Sequence, residues 1–251
     1  MQRLEQKTAV ITGASSGIGR AIALAYAREG AHVIVNYHRS QDKSGQIVQE
    51  IIAAGGRAAA IQADVRDRDS IERLVRESQA ILGNIDIWVN NAGADILTGP
   101  GALLDDQEKL QNLIEVDLKG TIFCCWAIAP LMQSQGHGVI INMSWDLALH
   151  GLAGRNPQLF AATKAGITGF SRALAKTCGP DIRVNVLAPG WIETAFAEND
   201  MSNDYYQARI REIPVGRFGT PEDVAGAAVF LASEDASYMT GEMIRINGGL
   251  I

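Results

Sequence analysis

Short β-branched apolar runs alternate along the 251-residue chain with longer stretches in which apolar positions recur every three or four residues. The short runs predict strands at Thr8–Thr12, His32–Tyr37, Ala58–Gln62, Ile85–Asn90, Val139–Met143, Arg183–Ala188 and Met243–Ile246. Most are continuously apolar rather than alternating, which is the pattern of strands buried on both faces. The longer stretches predict helices near Gly17–Glu29, Asp42–Ala53, Asp69–Leu82, Asp106–Gln133, Leu159–Cys178 and Pro221–Ala232. Gly30 can take the left-handed conformation that ends the first helix. Pro221, followed by Glu222 and Asp223, puts proline in a first turn and acids at the positive end of a helix dipole. No repeat, low-complexity tract or Pro/Ser-rich linker divides the chain. Strict strand–helix alternation calls for a parallel sheet with right-handed crossovers and helices on both faces. The expected fold is one doubly wound α/β domain over residues 1–251, with a seven-stranded parallel sheet.

Composition narrows the function classes. A chain with 47% hydrophobic and 20% charged residues is neither disordered nor fibrous. A net charge of −6 argues against binding to a nucleic-acid backbone. Three cysteines, with Cys124 and Cys125 adjacent, fit neither a disulfide framework nor a zinc-site spacing, so buried reduced thiols and no metal site are expected. The longest apolar run, Ile122 to Met132, contains Pro130 and is too short for a bilayer, which takes about 20 residues. The opening MQRLEQKTAV is polar and unlike a signal peptide. A soluble, cytoplasmic protein with no membrane or nucleic-acid partner is expected.

The first strand runs into Thr12-Gly13-Ala14-Ser15-Ser16-Gly17-Ile18-Gly19, and a helix follows directly. Gly13 allows a tight turn, and Gly17 and Gly19 let backbone and helix approach a pyrophosphate whose charge faces the helix N-terminus. Glycines alone are weak evidence. Their place between strand one and helix one is where a Rossmann-like dinucleotide fold needs them. No Lys-Ser/Thr follows, so the loop is not a P-loop.

Further motifs follow in order: Asp64-Val65, Asn90-Asn91-Ala92-Gly93, Pro189-Gly190-Trp191-Ile192-Glu193-Thr194, Arg217-Phe218-Gly219-Thr220-Pro221-Glu222-Asp223-Val224-Ala225, and Thr240-Gly241 with Asn247-Gly248-Gly249. With the glycine loop they resemble the short-chain dehydrogenase/reductase family over nearly the whole chain. The nearest branch is that of 3-oxoacyl-carrier-protein reductases and glucose dehydrogenases. The resemblance implies an NAD(P)-binding homotetramer built on the long fourth and fifth helices, acting on a small molecule. It implies that Ser15, Ser16 and Ile18 join the three glycines around the phosphates, that Asp64 binds the adenine amino group and that Val65 lines its pocket. Asn91, Ala92 and Gly93 would meet the adenosine ribose, and Pro189, Gly190, Ile192 and Thr194 the nicotinamide side. Cofactor choice rests on Val35-Asn36-Tyr37-His38-Arg39-Ser40: Asn36 is neutral where an acid would repel a 2′-phosphate, and Arg39 or Ser40 could pair with that phosphate. Charge favours NADP(H) over NAD(H).

The family's catalytic positions are where the chain departs. Tyr-x-x-x-Lys becomes Phe160-Ala161-Ala162-Thr163-Lys164, so Lys164 stands in place and Phe160 has no proton to give. None of the five tyrosines precedes a lysine by four positions. Ser144 lies just before the position of the carbonyl-orienting serine and Trp145 falls on it. Ser144 is either a substitute or a strand-end hydroxyl serving local backbone. Asp117 occupies the usual asparagine position and is expected to pair with Lys164, which lacks its tyrosine partner. Substitute proton donors are Asp146, His150, Tyr205 and Tyr206. A positioned acid contributes ~10²–10⁴-fold, so its loss weakens reduction without excluding it. Three readings follow: an NAD(P)(H)-dependent oxidoreductase on a carbonyl or alcohol, a catalytically silent dinucleotide-binding pseudoenzyme acting as a sensor or as a subunit of a mixed oligomer, or non-redox acid–base chemistry by Asp117, Asp146 and Lys164. The segment from Trp191 to Pro214, with Phe196, Met201, Tyr205 and Tyr206, is expected to form an apolar pocket wall or a packed lid helix.

Overall fold

Both faces of every central strand are covered, which explains the unbroken apolar runs. The structure, a computed structural model, describes residues 2–194 and 201–251. The strands are β1 (Thr8–Ile11), β2 (His32–Tyr37), β3 (Arg57–Gln62), β4 (Ile87–Asn90), β5 (Gly138–Met143), β6 (Ile182–Pro189) and β7 (Met243–Ile246). They form one parallel sheet in the order β3-β2-β1-β4-β5-β6-β7. The order reverses between β1 and β4, and such a switch point opens a crevice at the carboxyl ends of the strands.

Helices α1 (Gly17–Arg28), α2 (Gln41–Ala53) and α3 (Arg68–Leu82) connect the first strands. Then come α4 (Gly99–Ala102), α5 (Asp106–Asn112), α6 (Gly120–Gln135), α7 (Arg155–Cys178), α8 (Asn203–Glu212) and α9 (Pro221–Ala232). Side chains alternate across each strand. Ala9, Ile11, Val33, Val35, Ile87 and Val89 therefore enter a core shared with α1, α2 and α9. Val10, Ile34, Trp88 and Ile140 enter a second core with α3, α6 and α7. Each of these large side chains, removed from water, contributes about 1.5–3 kcal/mol before entropy is counted.

The expected fourth helix, Asp106–Gln133, is interrupted. Between α5 and α6 the chain widens into a π-helical stretch, Leu113–Lys119, that carries Asp117. Such wide turns re-aim side chains, a feature frequent at functional sites. Helix α7 begins at Arg155, four residues ahead of the expected start at Leu159, after Gly154 at φ +127°. Helix α4 has no counterpart in the expectation, and α8 falls in the segment expected as a pocket wall or lid helix, with no bounds given. The first is a single Gly-Pro-rich turn, and the second buries no residue, so neither has an apolar stripe to find.

Two carboxylates at the carboxyl edge behave oppositely. Asp223 closes a capping box with Thr220 at the start of α9 and takes a fork from Arg217, at 2.6 and 3.1 Å. That guanidinium, with the Thr220 N–H, holds the Asp223 carboxyl down at about 2. Asp146, after β5, is fully buried. Its carboxylate accepts from the Leu147 N–H at 2.9 Å and from Asn247 Nδ2 at 3.2 Å, tying the loop after β5 to the end of β7. Burial pushes Asp146 up, and those hydrogen bonds only partly offset it.

Opposite pH dependences follow from linkage. Asp223 stabilises the fold above the ordinary carboxylate value of ~3.9, and this is lost as pH falls towards about 2. Asp223→Asn is expected to cost ~0.5–2 kcal/mol at pH 7, as lost caps do. Denaturant midpoints should show the gap to the parent narrowing below about pH 4; a constant gap would refute the assignment. A raised carboxyl stabilises least when ionised. Asp146→Asn should therefore raise the midpoint at pH 7, with an advantage that shrinks as pH falls through the carboxylate range. A lower midpoint at pH 7 would contradict it.

Candidate functional site

A cleft of about 830 Å³ opens above the switch point between β1 and β4. Its floor is the glycine loop. Gly13 and Gly17 sit at φ +61° and +53°, where side chains are strained. A Cβ on Gly13 would meet Ala92 Cα at 2.7 Å, and one on Gly19 would collide with Asn91 Nδ2 and meet Gly13 O at 2.6 Å. Thr12 Oγ1 accepts from the backbone N–H groups of Asn91 and Ala92, and Asn91 Nδ2 donates to the carbonyls of Thr12 and Gly13. The two loops are thus bolted together. At the start of α1 the Ser16 side chain makes no capping bond, and the first turn holds no acid. The orphan N–H groups and positive dipole end of α1 fit an anionic phosphate.

Asn36 is buried and committed to structure. Its Oδ1 accepts from the Gly13 N–H at 3.2 Å, and its Nδ2 donates to the carbonyls of Ile61 and Ala63. It shapes the cleft rather than offering a free amide to a ribose. Arg39 and Ser40 line the cleft beyond it, together with His38 and Arg66, which the sequence reading did not select. Asp64 accepts a fork from Arg66 with contacts of 2.7–3.0 Å, and His38 Nε2 lies 3.4 Å away. Partial burial pushes Asp64 up, but the Arg66 fork and His38 outweigh it and hold the carboxyl below its ordinary value. A loop position two residues past Asp64 gives Arg66 no periodic signal in the sequence. Val65, Asn91, Ala92, Gly93, Ser15, Ser16, Ile18 and Thr194 line the cleft. Gly17, Tyr37, Pro189, Gly190 and Ile192 are not among its lining residues. A Cβ on Gly190 would instead meet Asn247 Cβ at 2.7 Å.

At the far end lies a buried ion pair. Lys164 Nζ is 2.8 Å from Asp117 Oδ2, with side chains 12% and 2% exposed. The other Asp117 oxygen accepts from the Ala94 N–H at 2.7 Å. A Cβ on Gly93 would approach that carboxylate to 3.3 Å. Lys164 Nζ also donates to the Met143 carbonyl at 3.5 Å. Phe160, one turn earlier on α7, lines the cleft beside the pair, and its ring lies 6.3 Å from that of Trp145.

The hydroxyl and acid candidates point elsewhere. Ser144 Oγ donates to the Lys164 carbonyl at 3.0 Å and lies 3.0 Å from Thr168 Oγ1, so it serves the backbone of α7. The Asp146 carboxyl faces Asn247 and does not line the cleft. His150 is exposed. Tyr206 donates to Glu193 at 3.0 Å and packs on Phe218, which stacks on Trp191; Tyr205 meets the edge of Trp191. Burial together with Glu193 pushes Tyr206 up. These aromatics pack α8 onto the end of β6, the lid-helix alternative. Phe196 lies outside the described residues. Among those described, no three His, Cys, Asp or Glu side chains could hold a metal ion.

Beneath the cleft, Trp88 Nε1 donates to Asn90 Oδ1, Asn90 Nδ2 to Asn142 Oδ1, and Asn142 Nδ2 to Ser171 Oγ, each at 2.8 Å. This buried chain sets the distance of α7 from β4 and β5.

Comparison with known proteins agrees with this geometry. Residues 13–251 match the family model described as Enoyl-(Acyl carrier protein) reductase. The chain is 39% identical over 246 residues to a 3-oxoacyl-(acyl-carrier-protein) reductase of Staphylococcus epidermidis, covering 97% of this chain and 98% of that protein. Among solved structures, a 7α-hydroxysteroid dehydrogenase complexed with NADH and 7-oxo glycochenodeoxycholic acid superposes with TM-score 0.90 at 32% identity, covering 99% of this chain and 95% of the other. A gluconate 5-dehydrogenase from Burkholderia cenocepacia, complexed with NADP and tartrate, gives TM-score 0.88 at 30% identity, covering 99% and 96%. The glycine cradle at the switch point, the uncapped start of α1 and full-length matches to dehydrogenases and reductases lead to one conclusion: this chain is an oxidoreductase of the short-chain dehydrogenase/reductase family.

Proposed function

We propose that the chain is an NAD(P)(H)-dependent oxidoreductase with a substituted catalytic tetrad, acting at a carbonyl or alcohol carbon and taking NADP(H) in preference to NAD(H). The observation that carries this reading is the Asp117–Lys164 pair at the end of a dinucleotide-shaped cleft. A bound nicotinamide dinucleotide would supply or accept a hydride at that end. Ser15, Ser16 and the first-turn N–H groups of α1 would hold its phosphates. Asp64 and Val65 would border the adenine, and Lys164 would meet the ribose beside the nicotinamide. Asp117 holds Lys164 in place at 2.8 Å, the task a tyrosine shares in other members. The reductase and dehydrogenase relatives support a small-molecule substrate. A cytoplasmic homotetramer built on α6 and α7 accords with the exposed Trp126 on α6. No described helix is long and apolar enough to cross a membrane.

NADP(H) is favoured by the basic rim. Arg39 makes no ion pair among the described residues, and Arg66 and His38 stand nearby, so a 2′-phosphate would find cations and only the already engaged Asp64. A silent dinucleotide-binding subunit is a second reading, favoured by the Trp145–Phe160 pair and the inward hydroxyl of Ser144. Non-redox acid–base chemistry loses support because Asp146 faces Asn247.

Calorimetric titration should show NADPH binding more tightly than NADH. Arg39→Glu should weaken NADPH at least ~10-fold, consistent with lost charge-assisted contacts, and leave NADH within a few-fold. Equal effects on both would remove the assignment. Restoring both hydroxyls in Trp145→Ser/Phe160→Tyr should raise ketone-dependent NADPH oxidation by ~10²-fold or more. No gain in a double variant that still binds NADPH would count against retained hydride transfer and for the silent reading.

A further inference from the structure

The proton balance of the site says which substrates it suits. Reduction of a ketone places a hydride on carbon and a proton on oxygen. Around the cleft end, Phe160 has no proton, Ser144 is bonded to α7, and the Asp146 carboxyl faces Asn247. The cationic donor that lines this end is Lys164, 2.8 Å from Asp117. Taking its proton would leave a carboxylate that is only 2% exposed without a counter-ion, an outcome a buried site opposes.

Resting on the dinucleotide-dependent reading above, we propose that the preferred substrate is a preformed iminium cation, C=N⁺, reduced to an amine. The balance then closes without any acid. The hydride pair forms the new C–H bond, the C=N π pair retires to nitrogen as a lone pair, and a dihydronicotinamide is oxidised to the nicotinamide cation. No proton is taken up or released.

The lining suits a cation for a second, independent reason. Phe160 lines the cleft, half-buried and with the Trp145 ring 6.3 Å from its own, and offers a π face where a hydroxyl would otherwise reach a carbonyl oxygen. Such faces attract a desolvated cation. The charge of Lys164 does not cancel this attraction, because Asp117 neutralises it at contact distance. Asp95, on the same cleft, adds negative charge.

The test uses the full-length protein and two reducible probes of one bicyclic frame: N-methyl-dihydroisoquinolinium, a permanent cation, and the neutral ketone tetralone. Above the enzyme-free rate, NADPH oxidation with the iminium should exceed that with tetralone at least ~10-fold, the scale of a missing general acid. It should also be flat from about pH 6 to 8, since no group exchanges a proton. A second readout needs no turnover. On NADPH-saturated protein, the non-reducible N,N-dimethyl-tetrahydroisoquinolinium should bind by calorimetry, and Phe160→Leu and Trp145→Leu should each weaken it by ~3-fold or more. Faster reduction of tetralone, or cation affinity unchanged in both leucine variants, would overturn the iminium assignment while leaving the dinucleotide reading intact. Absence of NADPH binding would overturn both.

Discussion

The ion pair between Asp117 and Lys164 is the constraint around which the cleft is arranged. Both charges lie where water is scarce, and removing one partner of such a pair costs about 3–5 kcal/mol. The pair must therefore be held, and several elements contribute. The π-helical turns bring Asp117 inward, the Ala94 N–H occupies its second oxygen, and Gly93 leaves room that a side chain would fill. On the other side, α7 presents Lys164, and Ser144 and Thr168 are bonded to the carbonyl of that same residue. The chain of buried amides from Trp88 to Ser171 then sets the depth of α7 against the sheet. Loosening any of these contacts would expose or strand a charge.

The opposite end of the cleft depends on close approach rather than charge. Gly13 and Gly19 leave no room for a Cβ between the first loop and the loop after β4. That contact lets Thr12 and Asn91 exchange hydrogen bonds across the switch point. Helix α1 is pressed from behind by α9, whose first turn is fixed by Thr220, Asp223 and Arg217. The glycine-loop end is thus rigid backbone, and the Lys164 end is a buried electrostatic contact. One tolerates sequence change poorly because of shape, the other because of charge balance.

Much of this was legible in the residue order because it follows from periodicity and position. Continuous apolar strands, Gly13 and Gly19 between strand and helix, and the one-turn spacing of Phe160 and Lys164 all follow from backbone geometry. The Asp117–Lys164 pair was legible as well, because a buried ammonium without a tyrosine needs a counter-charge. Side-chain direction at strand ends was not. Ser144 and Asp146 are two residues apart, and both turn to neighbours, Thr168 and Asn247, that the chain supplies 24 and 101 positions later. Asn36 looks like a cofactor contact because it is neutral, yet its amide bonds to three backbone groups on two segments, the glycine loop and the end of β3. The Arg66–Asp64 fork escaped notice because a two-residue separation in a loop carries no periodic signal.

Under the proposed reading, the departures at the catalytic end are not independent. Replacing a phenol by Phe160 removes both a proton donor and the partner of Lys164. A neutral residue at position 117 would then leave the ammonium, 12% exposed, with only the Met143 carbonyl at 3.5 Å. An aspartate there restores the charge balance. With no proton to deliver, a carbonyl-orienting serine has lost its purpose, and Trp145 can close against Phe160. Each change thus removes the reason to keep the next residue unchanged. What the sequence alters together is the proton path, while the cradle that would hold the dinucleotide stays intact. Hydride chemistry and proton chemistry, joined in the usual tetrad, are separable parts of this fold.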